Sequence, residues 1–512
     1  MKKLVFLTFL IFTSYLQASQ LPMLTQCNVT LVNNTLEVSY ELTDSDNQFL
    51  EVKCSIYYSK GTSTHTQVGI TSLTGDIGNG VTPGPNKKVI ITLANPTDLN
   101  SDLRVILSAF DNEPISIEEI VSKVNTNRML SDLQFLQGKR NEITDKTFKD
   151  KSRLYIQEML SPLTHFTSYE SKVSTLTNIN FEANIWGSDS LHLINIVDAH
   201  YDSFGQSPGA DDNASGVAGV LEIGRVISEY STRKSVRLVL FDLEESGLVG
   251  SNLYINNQLR NNDKLENVIN FEMIGYYSEI DNTQDLPTGF NILFPEAYNE
   301  VLNNNRKGNF ITNVGNTHSK NLLTAFQESA KNYVPGLKVI SLEVPGNGTI
   351  VPDLRRSDHA NFWDKGHKAL MITDGANFRN KNYHTPKDSV QFLNMNFMTQ
   401  VVKASLATIC QLSEIQHGNT KSIEYKGSTL TKSLQSLDLA VFQTKDNLYI
   451  SSTNNEEVCL LEIVDIQGHT RWIDKFTNQL TIDLNKLNIQ GLCLIKLEQK
   501  KGKQIIKYIV TK

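Results

Sequence analysis

The chain has 512 residues, 39% of them hydrophobic and 20% charged, with a formal net charge of -7. That length exceeds what one hydrophobic core serves, so several domains are expected. The acidic balance leaves no basic surplus to meet a phosphate backbone, which argues against nucleic acid as a partner.

At the amino end, Lys2 and Lys3 precede an apolar run from Leu4 to about Tyr15, followed by the small residues Ala18 and Ser19. This pattern reads as a cleaved secretory signal over residues 1–18. The run is shorter than the ~20 residues that cross a bilayer, and nothing later resembles a span, so no integral membrane segment is expected after cleavage. Residues 21–114 carry short alternating runs (TLEVSYEL, LEVKCSIYYS, KKVIITL, LRVILSAF) around a Gly/Pro-rich stretch, the pattern of a small fibronectin- or immunoglobulin-like β-sandwich.

Residues 115–412 change character. Helical stretches such as IEEIVSKVNTNRMLSDLQFLQG are followed by apolar runs that alternate with amphipathic ones, which predicts an α/β domain with a central mixed, largely parallel sheet flanked by helices. LINIVDA, SVRLVLFDL, ENVINFEM and HKALMIT are its candidate strands. Residues 413–435 form a polar stretch without apolar periodicity and read as a linker. Residues 436–512 return to short β-type runs and predict a second small sandwich. The cysteines are Cys27, Cys54, Cys410, Cys459 and Cys493. They are too few for a disulfide scaffold; Cys27 with Cys54, and Cys459 with Cys493, are possible pairs, and buried free thiols are the alternative.

The chemistry concentrates in the middle domain, where His200, Asp212, Glu245, Glu272 and His384 follow one another across about 185 residues. Two imidazoles and three carboxylates, with no cysteine among them, are the donors that borderline divalent ions such as zinc accept. A pair of such ions needs a bridging carboxylate and further donors on each side, and lowers the pKa of a shared water to about 7. Several of these residues fall at the carboxyl ends of candidate strands, where open α/β sheets place their sites. Asp202, two residues beyond His200, is placed to orient its imidazole. Asp211, Asp212 and Asn213 could instead cap the following helix, but a cap needs one such residue. Asn213-Ala214-Ser215 also matches a glycosylation sequon. Glu244 and Glu245 repel each other unless their roles differ, one as ligand and one as proton carrier.

The segments HYDS, GADDNASG, LEESGLVGS, SDHANFW and RNKNYHTPKDS, in that order, resemble the zinc aminopeptidase family, metallopeptidase family twenty-eight, over roughly Glu119 to Leu412. The resemblance implies two zinc ions bridged by Asp212, with His200 and Glu272 completing one site and Glu245 and His384 the other. It makes Glu244 the general base and acid, Asp202 the partner of His200, and Tyr383 a residue that polarises the substrate carbonyl. Many family members carry aspartate where this chain has Glu272, so metal stoichiometry is where departure is expected. The final region, with DNLYISS, VDIQGHT and LNIQGLCLIKLEQKKGKQIIKYIVTK, resembles the carboxy-terminal sorting domain of type IX secretion substrates.

Together these readings imply an exported aminopeptidase that hydrolyses the first peptide bond of peptides with a free amino terminus by means of a metal-bridged hydroxide. It would engage the secretion machinery through its last domain and be secreted or held at the cell surface by way of the periplasm. A carboxypeptidase, an aminoacyl amidase or a glutaminyl cyclase would share the fold. A surface binding protein would be expected to lack the base or a ligand, and neither is missing.

Overall fold

The computed structural model describes residues 20–60, 65–111, 113–163, 165–427, 439–443, 447–452, 459–465, 469–477, 479–487, 491–499 and 502–510. The signal expected at residues 1–18 lies outside them. Two compact units emerge: Met1–Pro96 with Asp102–Tyr425, and Thr97–Ser101 with Lys426–Lys512. Among the described residues no helix is long and apolar enough to cross a membrane.

The first unit opens with β1 (Met23–Val32), β2 (Thr35–Thr43), β3 (Leu50–Tyr58), β4 (Ile70–Gly75), β5 (Gly78–Val81), β6 (Gly84–Leu93) and β7 (Leu103–Phe110). They form two antiparallel sheets, β1-β2-β6-β4 and a second in which β7-β3-β5 is completed by a strand from far downstream. β7 is buried along its whole length. Its odd-numbered residues face the sandwich by strand alternation, while Ile106 packs with Tyr57, Trp186 and Leu191, and Arg104 donates to Ser422 and Glu424.

Two helices follow, α1 (Ile117–Ser122) and α2 (Thr126–Leu136), where one helical stretch was expected. Asn125 divides them because its side chain caps α2, accepting from the amides of Asn127 and Arg128. Then come α3 (Lys146–Leu160), β8 (His165–Val173), β9 (Leu176–Ile185), β10 (Ser190–His200), α4 (Gly216–Ile227), β11 (Ser231–Thr232), β12 (Lys234–Phe241), α5 (Val249–Leu253), β13 (Lys264–Glu272), α6 (Phe290–Leu293), α7 (Pro295–Asn303), β14 (Ile311–Asn316), α8 (Lys320–Tyr333), β15 (Val339–Val344), α9 (His359–Asp364), β16 (Ala369–Thr373) and α10 (Met395–Leu412). The central sheet has the order β15-β14-β16-β13-β10-β12-β9-β8. β12, β10, β13 and β16, which contain the four candidate strands, run parallel at its centre. β9 joins β12 and β14 joins β16 antiparallel, so the sheet is mixed.

Both faces of this sheet are covered, which is why its strands read as continuous apolar runs. Val197, Ala199, Leu238, Leu240, Ile269 and Phe271 pack with α2, α4, α8 and α10. Ile194, Ile196, Val239, Phe241 and Val268 face the opposite layer with α7 and α9.

The stretch expected as a linker differs from that expectation. β17 (Ile415–Gln416) pairs with β11, and β18 (Gly418–Tyr425) pairs with β7 along its full length, completing the second sandwich sheet. Polar side chains are tolerated there because β18 is an edge strand; only Ile423 and Tyr425 among its large apolar residues need cover. The α/β domain is therefore inserted between two neighbouring strands of the sandwich. Residues 428–435 of the expected linker lie outside the described residues.

The second unit contains β19 (Leu439–Gln443), β20 (Asn447–Ser452), β21 (Cys459–Asp465), β22 (Thr470–Phe476), β23 (Gln479–Asp483), β24 (Gly491–Gln499) and β25 (Gly502–Val510). They make two antiparallel sheets, β19-β20-β23 and β22-β21-β24-β25. In the β21–β24 register Cys493 opposes Asp465, six residues along the strand from Cys459. The possible pairing of Cys459 with Cys493 concerns side chains that lie outside those described. Cys27 and Cys54, the other possible pair, are free thiols, as is the buried Cys410.

Candidate metal centre

The parallel register brings the carboxyl ends of the central strands level: His200 pairs with Phe241, Ala199 with Phe271, and Glu272 with Thr373. His200 and Glu272 thus end neighbouring strands on the same edge. Glu244 and Glu245 follow β12 in a single tight turn, and His384 arrives on the loop after β16. Leu243, Met273 and His384 hold φ values of 55°, 54° and 58°. Left-handed backbone at three non-glycine residues beside or within one site is costly, and such residues cluster where side chains must be aimed.

Asp212 is held by its surroundings. Asp388 Oδ1 and Oδ2 accept from the amides of Asp211 and Asp212 at 3.0 and 3.1 Å. Asp211 turns away, accepting from Gly275 N and Asn380 Nδ2. Asn213 also turns away, accepting from Gly216 N and donating to Phe271 O at 2.7 Å. Asn213 is therefore the cap-like residue, and its buried amide is no glycosylation acceptor in the folded chain. Only Asp212 of the three faces the centre. Gly209 (φ 59°) makes the preceding turn, where a Cβ would strike the Asp212 carbonyl and the Arg140 guanidinium.

The two oxygens of Asp212 have different neighbours. Oδ1 lies 3.4 Å from His200 Nε2, which is also 3.3 Å from Glu272 Oε2 and 3.9 Å from Glu244 Oε2. Oδ2 lies 3.0 Å from His384 Nε2, itself 3.1 Å from Glu245 Oε2. Donor atoms of His200, Glu244 and Glu272 come within 4.8 Å of one another, as do those of Asp212, Glu245 and His384. His200 Nε2, His384 Nε2, Asp212 Oδ2 and Glu245 Oε1 are buried without an aligned hydrogen-bond partner among the described residues. Buried polar atoms converging in this way fit divalent cations, which would satisfy them together.

Asp202 serves more than His200. Its Oδ1 lies 3.3 Å from His200 Nδ1 and accepts from Glu244 N at 3.1 Å, while Oδ2 accepts from Glu245 N at 3.2 Å. One carboxylate thereby stands beside the imidazole and holds the backbone of the acidic pair. Burial, followed by the negative charge of Glu272 and Glu245, pushes Glu244 well above the ordinary carboxylate range, although His200 opposes the shift. Burial and Asp212 push Glu245 up to about 8. For His384 burial works against the charged ring, but Asp212 and Glu245 outweigh it and lift the value to about 9. Burial likewise opposes the Asp212 carboxylate, which His200 and His384 nevertheless hold low. Without cations, protons on these groups balance the charge; bound cations would displace them.

Tyr383 stacks on His384 and adjoins an apolar cavity of about 730 Å³, open mouth included, whose lining contains Glu272, Tyr383, Phe290, Phe310, Leu342 and Met371. Several contributors to the site escaped sequence reasoning. Buried Arg140 donates to the carbonyls of Tyr201, Pro208 and Gly209 and stitches the loop between His200 and Asp212. Ser357 donates to Glu272 Oε2 at 2.8 Å and braces the ligand with the extra methylene. Ser357 and Asp388 stood inside recognised motifs, whereas Arg140 carries no local signal.

An α/β sheet that gathers this donor set at its strand ends defines a metal-dependent hydrolase. The profile described as Peptidase family M28 matches residues 180–409. The chain is 32% identical over 268 residues to the uncharacterized protein YfbL of Escherichia coli (strain K12), covering 49% of this chain and 77% of that protein. It is 28% identical over 214 residues to the aminopeptidase YwaD of Bacillus subtilis (strain 168), covering 40% of this chain and 38% of that one. The crystal structure of LapB from Legionella pneumophila aligns with a TM-score of 0.45 at 19% identity, over 59% of this chain and 77% of that chain. The chain belongs to peptidase family M28 and is a peptidase-type hydrolase, with zinc the metal that the family implies.

Proposed function

We propose that this protein is an exported zinc aminopeptidase that removes the first residue of peptides. The observation that carries the reading is Asp212, whose two oxygens each face a separate imidazole–glutamate pair. Asp212 would span two zinc ions, with His200 and Glu272 holding one and Glu245 and His384 the other. When bound, such ions supply an acidified water and positive charge opposite the substrate carbonyl.

Glu244 is the proton carrier. It sits against His200 and Glu272, and its raised proton affinity suits a group that accepts a proton from water and returns it to the leaving amine. Asp202 keeps Glu244 in place through its backbone. The apolar cavity beside Glu272 and Tyr383 would take one side chain of the substrate, and the acidic rim would take its ammonium group. The aminopeptidase YwaD among the relatives supports cleavage at the amino end.

Elemental analysis of the purified protein, combined with aminoacyl-anilides, acidic dipeptides and peptides beginning with glutamine, tests the reading. Two equivalents of zinc and release of the amino-terminal residue are expected. Cyclisation of amino-terminal glutamine alone, or release of carboxyl-terminal residues, overturns it.

We propose further that residues 1–18 direct export and that residues 436–512 act as a type IX sorting domain, leaving the enzyme secreted or at the cell surface. The seven strands among the described residues of the second unit support a small β-domain in that role. Deleting 436–512 should strand active enzyme in the periplasm; unchanged delivery to the surface refutes the sorting role.

A further inference from the structure

Arg356 is where three segments of the cavity rim meet. Its Nη1 donates to Asn377 Oδ1 at 2.9 Å and lies 3.7 Å from Asp353 Oδ1, while its Nη2 donates to Tyr383 Oη at 2.8 Å. The guanidinium carbon stands 5.4 Å from the centre of the Tyr383 ring. The same ring stacks on His384 at 3.7 Å and 17°. Phe204 stacks on His384 at 3.9 Å and 2°, and two parallel rings that close to one imidazole occupy opposite faces. The order is therefore Phe204, His384, Tyr383, with Arg356 securing the phenol end.

The hydrogen-bond pattern at the phenol is directional. Tyr383 Oη accepts from Arg356, and among the described residues its own hydrogen has no acceptor. Arg356, Tyr383 and Glu272 line one cavity, so the free O–H opens onto space shared with the centre. A hydroxyl that accepts from a cation becomes a stronger donor, because successive hydrogen bonds polarise one another. A donor already fixed in place stabilises developing negative charge without reorganising.

We propose that Arg356 is a positioning residue that fixes the Tyr383 phenol and polarises it, so that its O–H is presented to the substrate carbonyl oxygen as that oxygen gains charge. The inference rests on the aminopeptidase reading. The neighbouring residue Ser357 braces Glu272, so two consecutive side chains of one turn would set a metal ligand and an oxyanion donor.

The test compares R356M, R356K, Y383F and the R356M/Y383F double variant of the full-length, zinc-loaded protein. Y383F should lower kcat by about 10²-fold, the order seen when one oxyanion donor is lost. R356M should lower kcat roughly tenfold with little change in KM, the scale of one hydrogen bond to a charged group. R356K should recover part of the loss, and R356M should add nothing in the Y383F background. Binding of leucine phosphonic acid, a tetrahedral analogue, should weaken in R356M and Y383F with zinc content unchanged.

A full R356M effect in the Y383F background, a change confined to KM, or unaltered phosphonate binding overturns the role of Arg356. A wild-type protein that cleaves no aminoacyl substrate overturns the aminopeptidase reading instead, and this role with it.

Discussion

His200 and His384 both approach Asp212, yet they are held by different physics. His200 ends a core strand, its side chain is 1% exposed, and carboxylates surround it. Asp202 lies 3.3 Å from its Nδ1, and Ser357 braces its companion Glu272. The His384 side chain is 24% exposed, sits on a loop in left-handed backbone, and is steadied by aromatic faces. A position set by strand register and close burial resists displacement, whereas one set by a loop and stacking yields more readily. The inner half should therefore hold its ion more firmly than the outer half.

The largest effect belongs to the proton carrier of the inner half. Glu244→Gln should reduce kcat by about a hundred- to ten-thousand-fold while both metal equivalents remain, as steady-state kinetics and elemental analysis of one sample would reveal. A fully active variant removes Glu244 from the chemistry.

Next come the imidazoles. His200→Ala leaves buried carboxylates without their counter-charge and should cost both inner-site metal and several degrees of Tm. His384→Ala should lose one equivalent with a smaller change in Tm. Equal calorimetric losses would erase the distinction between inner and outer halves.

Asp202→Asn should weaken metal binding by about ten- to a hundredfold, the usual scale for losing a carboxylate behind a ligand imidazole. The loss should be measured by competition with a chelator of known affinity. It should also lower kcat, because Asp202 holds the Glu244 amide; a purely metal-related effect would be rescued by excess zinc.

The smallest effect concerns pH in the chelated protein. His384 is raised from 6.5 to about 9, so its contribution to stability is present below 6.5 and lost as pH rises through 9. Glu245 is raised from 4.5 to about 8, so the folded state again holds a proton that the unfolded state has released. Chelated protein should melt at progressively lower temperature between about pH 4.5 and 9. Zinc should stabilise more as pH rises, since binding displaces those protons. A melting temperature that rises with pH in the chelated protein contradicts this account.

The four central strands were legible because burial on both faces makes them continuous apolar runs. His200, Glu245 and Glu272 were legible because they interrupt or follow those runs, while Asp212 and His384 on loops were legible only as part of the constellation. β18 was not: its polar sequence resembles a connector, and its partner β7 lies some 310 residues upstream in the register. Arg140 was hidden for a related reason, since the carbonyls it satisfies belong to a loop about 60 residues away. Asp212 was singled out in the sequence, but what turns Asp211 away from the centre showed only in the hydrogen bonds it accepts from Gly275 and Asn380.

The sequence by itself determined which residue types could hold a cation and which strands would end beside them, because donor chemistry and apolar periodicity are local properties. Only the tertiary structure decided that Asp212 faces both imidazoles, that Asp202 sets the acidic pair, and that Arg356 reaches Tyr383. Those relations depend on parallel register and loop packing, which join residues far apart in the chain and leave no mark in any single segment.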